Sequence, residues 1–224
     1  MRRSDINRQL RASVKFFKRM GFHLPAWATW SPEQWRGKAQ LAGEITECRL
    51  GWDITDFGSN DFQRVGLINF NLRNGIPGVA RKSYCEKIII VGERQVTPLH
   101  THRQKREDII NRGGGNLVLE LRSSTGFVIN NQAVTAVIDG FARTVPAGGN
   151  LVLKPGESIF LEPGLFHLFY GEAGRGRVLV GEVSSVNDDQ ADNIFAEGNP
   201  RFPSIDEDES PLFLLVNDYA RHLA

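Results

Sequence analysis

From about residue 50 onward the chain consists of short β-rich runs separated by glycine, asparagine and proline, and this pattern limits the possible folds. Several such runs with turn residues between them predict an antiparallel sandwich or barrel. No GxGxxG motif follows a run and opens a helix, and three glycines at 113–115 lie between two runs, which predicts a turn rather than a phosphate loop. The runs are 65–72, 86–91, 117–121, 134–139, 151–153, 158–161, 165–170 and 178–183.

The β-rich region is preceded by a helical segment and followed by a polar one. Ile6, Leu10 and Phe17 recur at helical spacing, and Ser31 is a suitable N-cap for a second helix. After residue 186 the chain becomes polar and partly acidic, which predicts solvated loops. We therefore expect one domain over residues 1–224, with a helical addition at 1–48, a β core at 50–186 and a C-terminal extension at 187–224.

Charge and composition exclude several classes of protein. The 27 basic and 26 acidic residues give a net charge of +1, which does not indicate a nucleic-acid partner. No apolar run reaches the roughly 18 residues that a membrane helix needs, so we expect no membrane partner. The two cysteines, Cys48 and Cys85, are too few for a disulfide framework and predict free thiols in a reducing cytoplasm.

Two clusters of potential metal ligands lie in the β-rich region. His100 and His102 are two residues apart, so on a strand both imidazoles point to the same face. Glu107 follows closely, and His167 lies in a later β-rich run. Three imidazoles and one carboxylate suit a divalent Mn, Fe, Co, Ni or Zn ion. These four residues predict a metal site with two positions open to adjacent substrate oxygens.

The same residues resemble the two motifs of the cupins. Gly92, His100-x-His102, Glu107 and Gly113 or Gly114 resemble the first motif, and Gly156, Pro163, Gly164 and His167 resemble the second. The resemblance implies a mainly β fold, a single jelly-roll-like cupin β-barrel with N-terminal helices and a C-terminal extension. Residues 98–116 and 181–189 resemble bacterial D-lyxose isomerases more specifically, and the length and helical start of the chain agree with them.

The resemblance to D-lyxose isomerases carries expectations about function. It implies a Mn²⁺-dependent enzyme, with Co²⁺, Ni²⁺, Fe²⁺ or Zn²⁺ as alternatives, that interconverts D-lyxose and D-xylulose and also D-mannose and D-fructose. It also implies a homodimer and a free pentose or hexose as substrate. The reaction would move a proton between C1 and C2 through a cis-enediol whose negative charge a metal stabilises.

Two residues that are not metal ligands are candidates for the acid–base chemistry. Glu182 interrupts an apolar run. Burying a carboxylate is costly unless it has a catalytic role or is paired with a cation, which favours Glu182 as the base. We expect its strand to pair with the strand of His167 through a hairpin at 171–176. Lys105 is a candidate for donating to a sugar oxygen or moving a proton. Glu207 and a metal-bound water are rival bases, and sugar hydroxyls are expected to bind Asp188, Asp189 or Glu207.

Three other functions remain open from the residues alone. Arg103, Lys105 and Arg106 could clamp a phosphate, which would make the substrate a sugar phosphate. A cupin oxygenase or oxidase would use the same ligand set with iron or manganese. A non-catalytic sugar-binding cupin is the third, although such modules often lack ligands that are all present here.

Overall fold

The computed structural model describes residues 1–79 and 81–223. No helix in these ranges combines the length and apolar character needed to cross a membrane. The α-helices are α1 (Arg3–Arg19), α2 (Pro32–Trp35), α3 (Gly43–Glu47) and α4 (Tyr219–His222). The strands are β1 (Gly51–Thr55), β2 (Leu67–Arg73), β3 (Tyr84–Val91), β4 (Thr97–His102), β5 (Glu107–Gly114), β6 (Leu117–Arg122), β7 (Ser124–Thr125), β8 (Val128–Ile129), β9 (Val134–Ile138), β10 (Phe141–Val145), β11 (Gly149–Leu153), β12 (Ser158–Leu161), β13 (Phe166–Gly171), β14 (Val178–Ser185) and β15 (Asn193–Phe195).

Two antiparallel sheets face each other and enclose the main core. The larger has the strand order β1–β2–β3–β14–β5–β12–β9–β10, and the smaller has the order β11–β6–β13–β4–β15. Apolar side chains such as Ile109, Leu119 and Val180 fill the space between them. The mainly β, jelly-roll-like prediction is confirmed. Over the residues described, however, the sheets are separate ladders, so the expected barrel is not closed by hydrogen bonds.

Helix α1 covers the outer face of the larger sheet. Its residues Ile6, Leu10 and Phe17 are buried against outward-facing side chains of β1 to β3, such as Trp52 and Ile90. Because the sheet is covered on both sides at this end, its strands are buried almost continuously rather than at every second residue. The predicted helix is therefore confirmed, and its apolar stripe positions the strands that line the cavity described below.

The glycines at 113–115 form the predicted turn between two strands. Strand β5 ends at Gly114 and β6 begins at Leu117. Gly114 has a φ of 89°, and a Cβ on it would lie 2.2 Å from the carbonyl oxygen of Arg177. A side chain at this position would therefore need both an unfavourable backbone conformation and a displaced neighbouring strand.

A buried arginine ties the N-terminal helix to the C-terminal extension. Arg3 is fully buried and donates two hydrogen bonds to Asp218, at 2.9 and 2.8 Å, and two to Glu207, at 2.8 and 2.7 Å. Burial alone would lower the pKa of Arg3, but the two carboxylates raise it above its usual value. The acidic stretch at 206–209 was expected to be a solvated loop. Glu207 does lie in such a loop and its side chain is 34% exposed, yet its carboxylate also neutralises the buried charge of Arg3.

Replacing Arg3 by methionine should lower the free energy of unfolding by about 3–5 kcal/mol, because two carboxylates lose a buried partner. Chemical denaturation followed by circular dichroism measures this change. Arg2→Met is the matched control, since Arg2 pairs with Asp208 while its own side chain is 64% exposed. The control should change stability by less than about 1 kcal/mol. Equal losses in the two variants would show that the Arg3 network does not join the two segments.

Candidate active site

Three histidines meet on the inner face of the smaller sheet. β4 carries His100 and His102, and β13 pairs with β4 so that His167 lies directly opposite His100. The ring centroids of His100 and His167 are 4.3 Å apart, and all three side chains are buried. One ring nitrogen of each histidine lies within 4.8 Å of the others, which is close enough for all three to reach one metal ion.

The contacts of His100 and His167 fix which nitrogen of each ring is free. His100 Nδ1 lies 2.7 Å from the carbonyl oxygen of Pro98, and His167 Nδ1 lies 3.1 Å from that of Leu165. A carbonyl only accepts, so each Nδ1 carries the hydrogen and each Nε2 keeps its lone pair. His102 Nδ1 lies 3.5 Å from a carboxylate oxygen of Asp192. Metal-binding histidines in proteins are usually oriented by such contacts.

Glu107 completes the set from the first residue of β5. Its Oε1 lies 3.2 Å from His102 Nε2 and 3.1 Å from His167 Nε2. Burial alone would raise the pKa of Glu107, but Lys105 and His102 lower it well below its usual value. Burial also lowers the pKa of His100 and His102, which keeps both imidazoles neutral. An ionised carboxylate and neutral imidazoles are the forms that bind metals.

The donor set fits a divalent metal ion. His167 Nε2 has no hydrogen-bond partner although it is buried, because its contact with Glu107 lacks hydrogen-bond geometry. A buried nitrogen with a free lone pair is costly unless something binds it. Three nitrogens and one carboxylate oxygen suit Mn²⁺, Fe²⁺, Co²⁺, Ni²⁺ or Zn²⁺ rather than Ca²⁺ or Mg²⁺.

Lys105 lies in the turn between β4 and β5 and reaches into the same cavity. Its Nζ is 2.7 Å from Glu107 Oε2 and donates a hydrogen bond of 2.8 Å to Glu182 Oε1. Burial alone would lower the pKa of Lys105, but attraction to Glu107 and Glu182 raises it above its usual value. The lysine is therefore an ammonium group that joins the metal-ligand set to a second carboxylate.

Glu182 faces the histidines from the opposite sheet. The sequence-based expectation that β14 pairs with β13 is wrong, because β14 lies between β3 and β5. The connection after β13 crosses from the smaller to the larger sheet, and the inward side of β14 then lines the cavity. Glu182 Oε1 accepts from Lys105 and lies 3.1 Å from Lys87 Nζ. Two ammonium groups therefore hold one oxygen of this carboxylate.

The sequence analysis missed two charged residues of the cavity, Lys87 and Arg201, which lie on either side of Asp189. Asp189 Oδ1 lies 4.0 Å from Lys87 Nζ, and Asp189 Oδ2 lies 3.6 Å from Arg201 Nη2. Burial alone would raise the pKa of Asp189, but Lys87 and Arg201 lower it below its usual value. Arg201 also forms an ion pair with Asp53 on β1. The sequence signal for this network is a charged residue, Asp53, within the otherwise buried strand β1.

Only part of the expected sugar-binding set lines the cavity. Asp189 does, and its side chain is only 9% exposed, so the prediction of a solvated loop is wrong for this residue. Asp188 instead accepts hydrogen bonds from the backbone N–H groups of Gln190 and Ala191. Glu207 binds Arg3 as described above. Neither Asp188 nor Glu207 lines the cavity, because local turn formation and the Arg3 network occupy their carboxylates.

A cavity between the two sheets contains the candidate site. Apolar side chains such as Phe57, Ile89 and Phe169 form part of its wall, and polar groups occupy the remainder. The polar lining consists of Asn69, Lys87, Thr97, His100, His102, Lys105, Glu107, Glu182, Asp189, Asn193 and Arg201.

Comparison with known proteins identifies the family. A family model described as D-lyxose isomerase matches residues 1–219. The chain belongs to the D-lyxose isomerase family. It is 49% identical to a D-lyxose/D-mannose isomerase of Serratia proteamaculans over 228 residues, covering 100% of both chains. It is also 49% identical to a D-lyxose/D-mannose isomerase of Escherichia coli O157:H7, covering 98% of both. This member of the family is therefore a sugar isomerase of the aldose–ketose class.

Solved structures show the same fold in more distant proteins. The L-ribose isomerase of Cellulomonas parahominis, in a complex with L-ribose, is 13% identical with a TM-score of 0.60, covering 92% of this chain and 97% of its own. The L-ribose isomerase of Geodermatophilus obscurus is 14% identical with a TM-score of 0.61, covering 89% and 94%. At this identity the likeness concerns the fold, which this D-lyxose isomerase family member shares with the two L-ribose isomerases.

The purified isomerase should bind one divalent metal ion per chain, and His167→Ala should weaken that binding by at least about tenfold, because it removes one of four donors. Equilibrium titration with Mn²⁺ after chelator treatment measures the affinity. His23→Ala is the matched control, because His23 is exposed and is not among the residues that line the cavity. Unchanged Mn²⁺ affinity in His167→Ala would contradict the assignment of the metal site.

Proposed function

We propose that the chain is a divalent-metal-dependent isomerase that interconverts D-lyxose and D-xylulose, and also D-mannose and D-fructose, through a cis-enediol. The names of its relatives support the substrates. The observation that carries the chemistry is the position of the Lys105–Glu182 pair, which lies against Glu107 in the same buried cavity as three converging imidazoles. Metal-ligating groups and an acid–base pair are thus available to one small substrate.

The residues that would hold the metal are His100, His102, His167 and Glu107. When bound there, a divalent ion, for which we propose Mn²⁺, would supply Lewis-acid stabilisation of negative charge on the sugar oxygens. The chain itself prepares this site by keeping His100 and His102 neutral and Glu107 ionised. Burial thus sets the neutral form of these two histidines, and Lys105 sets the ionised form of the carboxylate, before any substrate binds.

Glu182 is the proposed base. It removes the proton from C2 of the aldose, the electron pair of the broken C–H bond forms the C1–C2 double bond, and O1 takes up a proton from the ammonium group of Lys105. Return of the proton from Glu182 to C1, with transfer of the O2 proton back to Lys105, gives the ketose. Lys87 and Lys105 both contact Oε1 of Glu182, and no ion pair over the described residues involves Oε2. Oε2 is therefore the oxygen that we assign to proton transfer.

Lys105 is proposed to donate a hydrogen bond to a sugar oxygen as charge develops on it. Its ammonium group already lies between Glu107 and Glu182 inside the cavity. It can therefore reach the sugar oxygens without a large movement of the side chain. Hydrogen-bond donors fixed in advance at such a position stabilise a transition state more than mobile water does.

The charges of the cavity favour a free sugar over a sugar phosphate. Lys87, Lys105 and Arg201 are the lysines and arginines among the described lining residues, and each is paired with a carboxylate. Arg103 and Arg106 are exposed and do not line the cavity, so the suggested phosphate clamp is not assembled. A dianionic phosphate would find no unpaired cation there, whereas a neutral polyol needs none.

Two further expectations remain predictions. Cys48 and Cys85 are buried free thiols, and burial raises the pKa of Cys85 to about 12, which agrees with a reducing cytoplasm as the proposed compartment. The homodimer is proposed from the resemblance described under Sequence analysis.

The test of the proposed function is to remove metal with a chelator, add back Mn²⁺ and follow ketose formation. D-Xylulose from D-lyxose and D-fructose from D-mannose, restored only by metal, are the expected products. The same assay with D-mannose 6-phosphate distinguishes a sugar-phosphate isomerase, and oxygen uptake distinguishes an oxygenase. Failure to convert either free sugar with metal bound would overturn the proposal.

Glu182→Gln should retain Mn²⁺ binding but lower kcat by at least about a hundredfold, because an amide cannot accept the substrate proton at neutral pH. Steady-state kinetics and Mn²⁺ titration on the same preparation separate the two properties. Glu162→Gln is the control with the same chemical change at an exposed position outside the cavity lining. Retained turnover in Glu182→Gln would move the base to Lys105 or to a bound water.

A further inference from the structure

Two buried polar atoms in the wall of the cavity have no partner within the protein. Asn69 Oδ1 on β2 and Arg201 Nη1 on the C-terminal extension both lack a hydrogen bond. Asn69 is 1% exposed, the Arg201 side chain is 9% exposed, and both residues line the cavity. Buried polar groups in proteins are normally paired, so a pair of unpartnered atoms facing a binding cavity indicates groups that a ligand completes.

Asp53 determines which atoms are left free. It lies opposite Asn69 in the pairing of β1 with β2, and its Oδ2 accepts a hydrogen bond of 3.3 Å from Asn69 Nδ2. The same oxygen accepts from Arg201 Nη2. Because a carboxylate can only accept, the amide of Asn69 must turn its oxygen away from Asp53. Asp53 thus binds one polar atom of each residue. The acceptor Asn69 Oδ1 and the donor Arg201 Nη1 remain without a partner.

The guanidinium of Arg201 is held from several sides. It lies over the rings of Phe202 and Phe57, with its central carbon 4.7 and 5.8 Å from the ring centroids. Asp189 Oδ2 lies 3.6 Å from Nη2 on a further side. A side chain fixed by two rings and two carboxylates presents Nη1 in one direction, which is a requirement for recognising a particular group of a ligand.

Asn69 and Arg201 lie at the far end of a series of contacts between alternating charges that starts at the metal-ligand set. From Glu107 the contacts run through Lys105, Glu182 and Lys87 to Asp189, at 2.7, 2.8, 3.1 and 4.0 Å. Asp189 in turn contacts Arg201. A sugar whose C1 and C2 lie near Glu107 and Glu182 would therefore extend its remaining carbons toward Asn69.

We propose that Asn69 Oδ1 and Arg201 Nη1, oriented by Asp53, together bind one hydroxyl group on C4, C5 or C6 of the open-chain sugar. A hydroxyl group donates one hydrogen bond and accepts another, and it matches one free acceptor beside one free donor. This inference rests on the proposed function for the identity of the ligand. It assigns substrate selection to residues of β2 and the C-terminal extension, which are not involved in the metal site or in proton transfer.

A site built to pair with a hydroxyl group discriminates strongly against an analogue that lacks it. The wild-type enzyme should therefore convert one of 4-deoxy-, 5-deoxy- and 6-deoxy-D-mannose with a kcat/KM at least about tenfold below that for D-mannose. The affected analogue identifies the hydroxyl group. The comparison of deoxy sugars uses only the wild-type enzyme, so it tests the proposal even if a substitution in the cavity prevents folding.

Asn69→Leu tests the residue directly, because leucine has a similar volume but no polar atom. It should lower kcat/KM for D-mannose by about five- to tenfold, as expected for one lost hydrogen bond. It should leave kcat/KM for the affected deoxy sugar nearly unchanged, because that sugar never made the contact. Asn71→Leu is the matched control: Asn71 is equally buried on the same strand, with its own unpartnered Oδ1, but does not line the cavity.

Calorimetric binding of D-mannitol separates this inference from the proposed function, because binding needs no turnover. Weaker D-mannitol binding to Asn69→Leu than to Asn71→Leu supports the subsite. Equal binding and equal kinetics in the two variants would overturn it, and so would similar kcat/KM values for D-mannose and its three deoxy analogues in the wild type. Absence of isomerisation in every protein, with D-mannitol still bound through Asn69, would instead overturn the proposed function.

Discussion

An ionised side chain that is removed from water needs an opposite charge beside it, and the cavity of this isomerase buries several such side chains in contact with one another. They belong to β3, to β5 and the turn before it, to β14 and to the C-terminal extension. None of these elements can shift without leaving a buried charge unpaired, so charge pairing fixes their relative positions. The residues, in order of contact, are Glu107, Lys105, Glu182, Lys87, Asp189 and Arg201.

The same pairing gives two similar carboxylates different tasks. Glu107 lies between two imidazoles and beside one lysine, which suits it to share a metal with them. Glu182 lies on the opposite sheet, where lysines contact one of its oxygens. The smaller sheet thus supplies the imidazoles, and the larger sheet faces them with the proposed base. A substrate between the sheets would contact both.

The sequence predicts the parts of this site that depend on local spacing. His100 and His102 share a face because they are two residues apart on a strand, and motif spacing extended the set to Glu107 and His167. The missed residues depend on strand order instead. Lys87 and Glu182 become neighbours only because β14 inserts beside β3. The pairing of Glu207 with Arg3 was missed for a similar reason, since the two residues lie 204 positions apart in the sequence.

Proton transfer through an enediol is the central claim, and isotope exchange with solvent tests it most directly. The Mn²⁺-loaded enzyme would convert D-xylulose in D₂O, and the D-lyxose formed would be analysed by NMR at C2. A base such as Glu182 exchanges its proton with solvent, so deuterium at C2 is the predicted result. Sugar kept at equilibrium through many interconversions without any deuterium at C2 would contradict the account, because a proton carried by a carboxylate exchanges at least in part, whereas a hydride moves directly from carbon to carbon.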